Sequence, residues 1–215
     1  MNLLIIGAPG TGKGTMSELL IEKYGVIHIS TGDMLRESVA AGTEVGLKAQ
    51  SYMTAGLLVP DEVIHGVIVE RLAKPDIDQG FLMDGYPRTL AQAADLDGIL
   101  KELGKKIDCV INLELDEEVL VGRITGRRTC PQCKAIYHVV NKPPRVEGIC
   151  DVCGSELVTR KDDTAESLKT RLNAYHESTR PVIEYYEKQG LVRTIDANHA
   201  PEEVFASIQK AVEEA

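Results

Sequence analysis

Apolar residues in this chain fall into short solid runs separated by longer stretches of helical period. Leu3 to Ile6 is a short apolar run with the composition of a buried strand. After it, Met16, Leu19, Leu20 and Tyr24 recur on one face of a helix. Val26 to Ile29 reads as a second strand. Ser30, Thr31 or Asp33 is placed to cap a helix that runs to Ala41 and stops at Gly42. Glu44 to Ala55 reads as another helix, with Val45, Tyr52 and Met53 as its larger apolar residues. Beyond Pro60, Val63, Ile64, Val67, Ile68 and Leu72 mark a strongly apolar helix. Gly80 to Asp84 is a brief strand ending in a carboxylate, and Thr89 caps a helix to about Leu103. Cys109 to Leu115 is a strand, Asp116 to Ile124 a helix, and Thr164 to Gln189 a helix bent near Pro181. Val192 to Ile195 forms the last strand and Pro201 to Glu214 the last helix.

Short apolar strands alternating with helices specify an α/β fold, a parallel sheet with helices on both faces. Two stretches interrupt the alternation. Residues 30–59 carry few large apolar side chains and read as a small helical insertion outside the main core. Residues 126–163 hold four cysteines, the adjacent Pro143 and Pro144, and many basic residues. In such a sheet, ligands sit outside the carboxyl ends of the strands.

Chemistry enters at GAPGTGKGT, Gly7 to Thr15, between the first strand and the first helix. The spacing G-x-x-x-x-G-K from Gly7 to Lys13, in that setting, is a phosphate-binding loop. Its glycines let backbone N–H groups wrap phosphate oxygens that side chains would keep out. The helix start adds positive partial charge, and Lys13 reaches the outer phosphates as a point charge. Gly14 stands where the general motif has Ser or Thr. Either Thr15 takes the magnesium-side role, or the metal is held mostly through water.

The 215-residue chain has a formal net charge of −9, which argues against a general nucleic-acid or membrane-surface binder. An anionic substrate must therefore be met by local arginines and lysines. No apolar run approaches the ~20 residues of a membrane span. The opening MNLLIIG reads as a strand and not as a signal peptide, so a cytoplasmic setting is expected.

Cys130-x2-Cys133 and Cys150-x2-Cys153 have the spacing of a zinc ribbon, two knuckles that complete a tetrahedron. Two disulfides or four free thiols are the alternatives, and disulfides do not suit a cytosolic chain. With four protein ligands such a site is closed and structural. Cys109 lies in an apolar strand and reads as an inert core residue. His28, His65, His138 and His176 show no ligand spacing and read as structural.

GAPGTGKGT, STGDMLR, DGYPRT, RITGRR and RKDD occur in this order, and together they resemble adenylate kinase over essentially the whole chain. The cysteine insertion is similar to that of the zinc-containing, long-lid bacterial form. The resemblance implies a P-loop core with a five-stranded parallel sheet (1–29, 60–125 and 164–215), a nucleoside-monophosphate-binding insertion (30–59) and a zinc-binding lid (126–163). It implies reversible phosphoryl transfer from MgATP to AMP, giving two ADP. It assigns Gly10, Thr11, Gly12, Lys13, Gly14 and Thr15 to the ATP phosphates. Arg123, Arg127, Ile136 and Tyr137 face ATP from the lid side, and His199 falls at a backbone contact to adenine. AMP falls to Thr31, Arg36, Leu57, Leu58, Val59, Gly85, Tyr86, Pro87, Arg88 and Gln92. Arg160 and Arg171 bracket the phosphates between the two sites. Lys13, Arg88, Arg123, Arg127, Arg160 and Arg171 make up the catalytic set. The resemblance also puts Asp33 and Asp84 where they could hold waters around magnesium, and implies one structural zinc per chain and a monomer. Kinases for UMP, CMP or GMP are the rivals within enzymes. A P-loop switch is the rival from another class, but it would want Ser or Thr after Lys13 and an N-K-x-D, and neither is present.

Overall fold

The apolar runs pair side by side in a computed structural model, which describes residues 1–214. β1 (Asn2–Gly7), β2 (Ile27–Ser30), β3 (Phe81–Asp84), β4 (Cys109–Glu114) and β7 (Val192–Asp196) form one sheet in the order β2-β3-β1-β4-β7. Every pairing in it is parallel. The chain builds β2 and β3 on one side of β1, then crosses to add β4 and β7 on the other. The direction of winding therefore switches at β1, and the loop after β1 opens at the switch point.

Alternate residues of each strand serve opposite faces. Leu4, Ile6, Phe81, Met83 and Val110 join a core with α4 (Asp61–Leu72), α5 (Leu90–Glu102) and α8 (Arg180–Glu187). Leu3, Ile5, Leu82, Cys109 and Ile111 join a second core with α1 (Lys13–Tyr24) and α9 (Pro201–Glu213). Cys109 is fully buried there, as its apolar strand predicts. α6 is Glu117–Thr125 and α7 is Ala165–Ala174.

Residues 30–59 dock on the sheet through Leu35 of α2 (Thr31–Ala40), Ala49 of α3 (Glu44–Ala55) and Val59, which join the first core. Few large side chains are needed because α2 and α3 approach closely. A Cβ on Gly46 would lie 2.1 Å from the Ser38 carbonyl oxygen. The helix from Thr164 breaks earlier than Pro181, through a π turn at Tyr175–Thr179. Proline lacks an N–H and crowds the carbonyl four residues before it, and the wider turn absorbs both defects. A 3₁₀ turn at Pro75–Gln79 was not anticipated.

The cysteine segment has its own antiparallel pair, β5 (Arg127–Thr129) and β6 (Ile136–His138), and its own small core of Cys130, Tyr137, Cys150 and Leu157. His138 fastens it to α6. Its Nε2 donates to the Gly122 carbonyl at 3.0 Å, while Nδ1 accepts the N–H groups of Val140 and Asn141 at 3.1 Å. The segment folds over the core, with Lys142 3.6 Å from Glu18 of α1 and Lys134 3.5 Å from Glu37 of α2. Among the described residues, no helix is long and apolar enough to cross a membrane.

Gly46 yields the first prediction. Gly46→Ala must push α2 from α3 and should cost roughly 1–3 kcal/mol in denaturant unfolding. Gly98→Ala, on an exposed face of α5 with nothing within 4 Å, should be neutral or stabilising. Equal effects at the two positions would contradict the close helix contact.

Candidate active site

The loop between β1 and α1 turns through Gly10 and Gly12, whose φ values of 93° and 99° exclude most side chains. Gly12 caps α1 without a side-chain hydrogen bond, so the first N–H groups of the helix are open to an anion. Lys13 folds back along the loop, donating to the carbonyls of Gly7 and Ala8 at 2.7 and 2.8 Å. Burial pulls the Lys13 ammonium down to about 7, and Arg88, Arg171 and Arg127 push the same way against Asp84.

Asp84 ends β3 beside the loop, in register with Ile5 of β1. Burial opposes its ionisation, but His28, Lys13 and Arg88 outweigh burial and keep its carboxyl below the usual range. His28, expected to be structural, stands in the same groove with Nε2 3.9 Å from Asp84 Oδ2. The signal was available: His28 is two residues before Ser30, and Ser30 pairs with Asp84 on the next strand.

Around this pair the fold gathers arginines on several elements. Arg127 pairs with Asp163, its Nε at 2.9 Å, and Arg171 pairs with Asp162 at 3.0 Å. Arg36 binds Asp33 at 2.5 Å, which leaves Asp33 occupied by a side chain in this state. Burial opposes the Asp33 charge, but Arg36 holds the carboxyl below its usual range. Arg88 donates Nε to the Gly85 carbonyl at 2.7 Å, and its own carbonyl accepts from Thr179 in the π turn at 3.1 Å. Among the described residues, the buried Nε of Arg160 has no hydrogen-bond partner. Burial, with Arg36 and Arg127 adding to it, pulls Arg160 down to about 10. Burial does the same to Arg171, also to about 10. Arg123 is lowered by burial alone. Seven cations thus face Asp33, Asp84, Asp162 and Asp163. The surplus is positive, and low dielectric makes it costly unless an anion fills it.

Two grooves meet at these cations. The smaller is lined by Thr31, Arg36, Leu57, Leu58, Val59, Gly85, Tyr86, Arg88, Gln92 and Arg171. The larger takes in residues 10–15, Arg123, Arg127, Ile136, Tyr137, Arg160, Pro87 and His199. Arg36, Arg88 and Arg171 belong to both walls. Gln92 is buried, accepting from the Arg88 N–H at 2.7 Å and donating to Asp61 at 2.6 Å, so it braces the Gly85–Arg88 loop. Asp61 and Thr179 were not singled out from sequence, because nothing local marks them. His199 is exposed at the rim, near Asp196 at 3.3 Å and Glu203 at 3.5 Å. His65 contacts Asp95 at 2.5 Å and His176 contacts Glu117 at 2.7 Å, both on the surface.

The four cysteine sulfurs lie within 4.8 Å of one another. Cys130 and Cys153 are 3.4 Å apart, and Cys133 and Cys150 are 3.5 Å apart. A disulfide would need ~2.05 Å, whereas a tetrahedron with ~2.3 Å metal–sulfur bonds has edges of about 3.8 Å. The donor set therefore fits a zinc-sized ion.

A glycine loop at the switch point and a cationic seam between two nucleotide-sized grooves define a P-loop nucleotide phosphotransferase. The family model "Adenylate kinase" matches residues 5–191. An adenylate kinase of Archaeoglobus fulgidus is 52% identical, covering 99% of this chain and 98% of that one. One of Enterococcus faecalis is 51% identical over the full length of both. One of Carboxydothermus hydrogenoformans is 50% identical, covering 99% of this chain and all of that one. The chain belongs to the adenylate kinase family.

Lys13 carries a pH prediction. With its pKa near 7, it is mostly neutral at pH 8 in the ligand-free protein. Phosphates favour its charged form, so binding a nucleotide should take up a proton, approaching one per site at pH 8. Calorimetry in buffers of different ionisation enthalpy measures this, and Lys13→Met should abolish it. The unfolded lysine, near 10.5, holds its proton where the native one does not, so Lys13 makes the ligand-free protein more stable as pH rises from about 7. Proton release on binding to wild type would contradict this account.

Proposed function

We infer that this chain catalyses reversible phosphoryl transfer from MgATP to AMP, giving two ADP. The observation that carries the reading is the shared wall of Arg36, Arg88 and Arg171 between the glycine-loop groove and its neighbour. A group moved across that wall passes from one nucleotide to the other without meeting water. Such transfer needs alignment and charge neutralisation more than a nucleophile or base.

In this reading Gly10 to Thr15 hold the ATP phosphates with backbone N–H groups. Lys13 charges as it leaves the carbonyls of Gly7 and Ala8 for the transferred group. Arg123, Arg127, Ile136 and Tyr137 close over ATP, with the base toward His199. Thr31, Arg36, Leu57 to Val59 and Gly85 to Arg88 receive AMP, and Arg36 and Arg88 take its phosphate bidentately. Gln92 fixes the loop that presents Arg88. Arg160 offers its unpartnered Nε to the phosphates between the sites. Arg171 exchanges Asp162 for the same charge. Magnesium, when bound with ATP, neutralises phosphate oxygens. Asp84, kept ionised, would hold its waters, and Asp33 would join once Arg36 turns to phosphate. Thr15 lines the same groove.

The same reading makes residues 1–29, 60–125 and 164–215 the core, 30–59 the AMP-side insertion and 126–163 the lid. The four cysteines hold one structural zinc. The lid's small core of Cys130, Tyr137, Cys150 and Leu157 is too little to order it alone, so metal affinity becomes its folding free energy. The family resemblance also carries a cytoplasmic monomer.

A coupled assay pairing ATP with AMP, UMP, CMP and GMP tests the reaction. Turnover should be greatest with AMP, and no turnover on any of them would sink the reading. Arg88→Ala should weaken AMP far more than ATP in calorimetric titration; equal losses would mean the grooves are wrongly divided. Metal analysis should find about one zinc per chain, and its removal should lower thermal stability. Metal-free protein with unchanged stability but no activity would point to a catalytic ion instead.

A further inference from the structure

Strand β6 carries three successive side chains with three different attachments. Ile136 reaches the phosphate loop, where a Cβ on Gly14 would lie 2.6 Å from Ile136 Cδ1. His138 donates to the Gly122 carbonyl of α6. Tyr137, between them, points into the cysteine core and is buried there. Its hydroxyl oxygen accepts the Asp151 N–H at 2.9 Å and lies 3.5 Å from Cys150 Sγ.

The direction of the second contact follows from donor arithmetic. A phenol has one proton, and Asp151 occupies a lone pair, so the proton is free for sulfur. A metal-bound thiolate is an acceptor only. We propose that Tyr137 is a positioning residue that donates its hydroxyl proton to the Cys150 thiolate and so couples the metal centre to the strand covering the ATP groove. The proposal rests on the zinc and ATP readings above, in which Tyr137 already belongs to the ATP side, and it adds no residue to the zinc ligands.

The hydrogen bond withdraws charge from one of four crowded thiolates and fixes where that thiolate points. Groups that orient metal ligands in this way are typically worth 10–100-fold in metal affinity. The coupling runs through one short strand. Tyr137 pairs with Arg128, and His138 pairs with Arg127, a cation of the seam. If Cys150 turns away, β6 loses its inner anchor, and Ile136 and Arg127 lose their placement over the phosphate loop. The AMP groove has no wall on β6. Zinc occupancy should therefore be felt by ATP and not by AMP.

The test uses Tyr137→Phe, which keeps the ring and removes one oxygen, in the zinc-loaded full chain and in its cobalt-substituted form. Competition with a chromophoric chelator should show roughly 10-fold or greater weakening of zinc. The thiolate-to-cobalt charge-transfer band should move to longer wavelength, since an unbonded thiolate gives up its electron more easily. The KM for ATP should rise while the KM for AMP stays put. Leu157→Val trims the same core without touching a polar contact and should leave the band where it is. An unmoved band and wild-type zinc affinity in Tyr137→Phe would overturn the proposal, as would an equal band shift in Leu157→Val. Wild-type protein that takes up neither zinc nor cobalt would sink the metal reading and this proposal together. Normal uptake with no effect of Tyr137→Phe would sink the proposal alone.

Discussion

Crowded positive charge in a partly dry groove is the constraint on which the rest of this structure depends. Lys13, Arg88, Arg127, Arg160 and Arg171 repel one another, and burial further penalises several of them. Left alone, such a set would open or lose protons, and Lys13 has moved in that direction. Three aspartates hold arginines in place meanwhile. Asp163 takes Arg127, Asp162 takes Arg171 and Asp33 takes Arg36. These carboxylates act as stand-ins for phosphate. They are too few to balance the cations, so a net positive charge remains to attract polyanions.

The fold exists around that tension. The strand order brings the end of β3, with Asp84, next to the loop after β1. The π turn at Tyr175–Thr179 carries Thr179 to the Arg88 carbonyl, and Gln92 clamps the Arg88 N–H. The cations therefore sit on separate elements that need not move together. Arg127, Asp163 and Arg160 belong to the segment that folds over the loop, whereas Lys13, Asp84 and Arg88 belong to the sheet side. In the proposed reading, substrate phosphate bridges the two sides, so that closure accompanies binding.

Much of this was legible in the sequence, because its signals are local. Gly7 to Thr15 states its own backbone requirement, the paired C-x-x-C spacing foretells the cluster of four sulfurs, and the apolar runs state the sheet. What escaped depended on long-range packing. Gly46 looks like an ordinary helix glycine until Ser38 is seen against it. That contact lets α2 and α3 share the main core with few large side chains. His28 looks inert until β2 is paired with β3 and the side chain reaches Asp84. The π turn at Tyr175–Thr179 precedes Pro181 and ends in Thr179, whose hydroxyl donates to the Arg88 carbonyl on a distant loop. Tyr137 was assigned to ATP through the resemblance, and only the folded cysteine core brings its hydroxyl to Cys150.

The central claim is that one continuous cationic seam serves both grooves. A bisubstrate mimic, two adenosines joined through a chain of phosphates, tests it by calorimetry. The account predicts one molecule bound per chain, with binding of both ATP and AMP lost in the saturated complex. Two molecules bound per chain, or AMP binding with undiminished affinity once the mimic has saturated the protein, would contradict it.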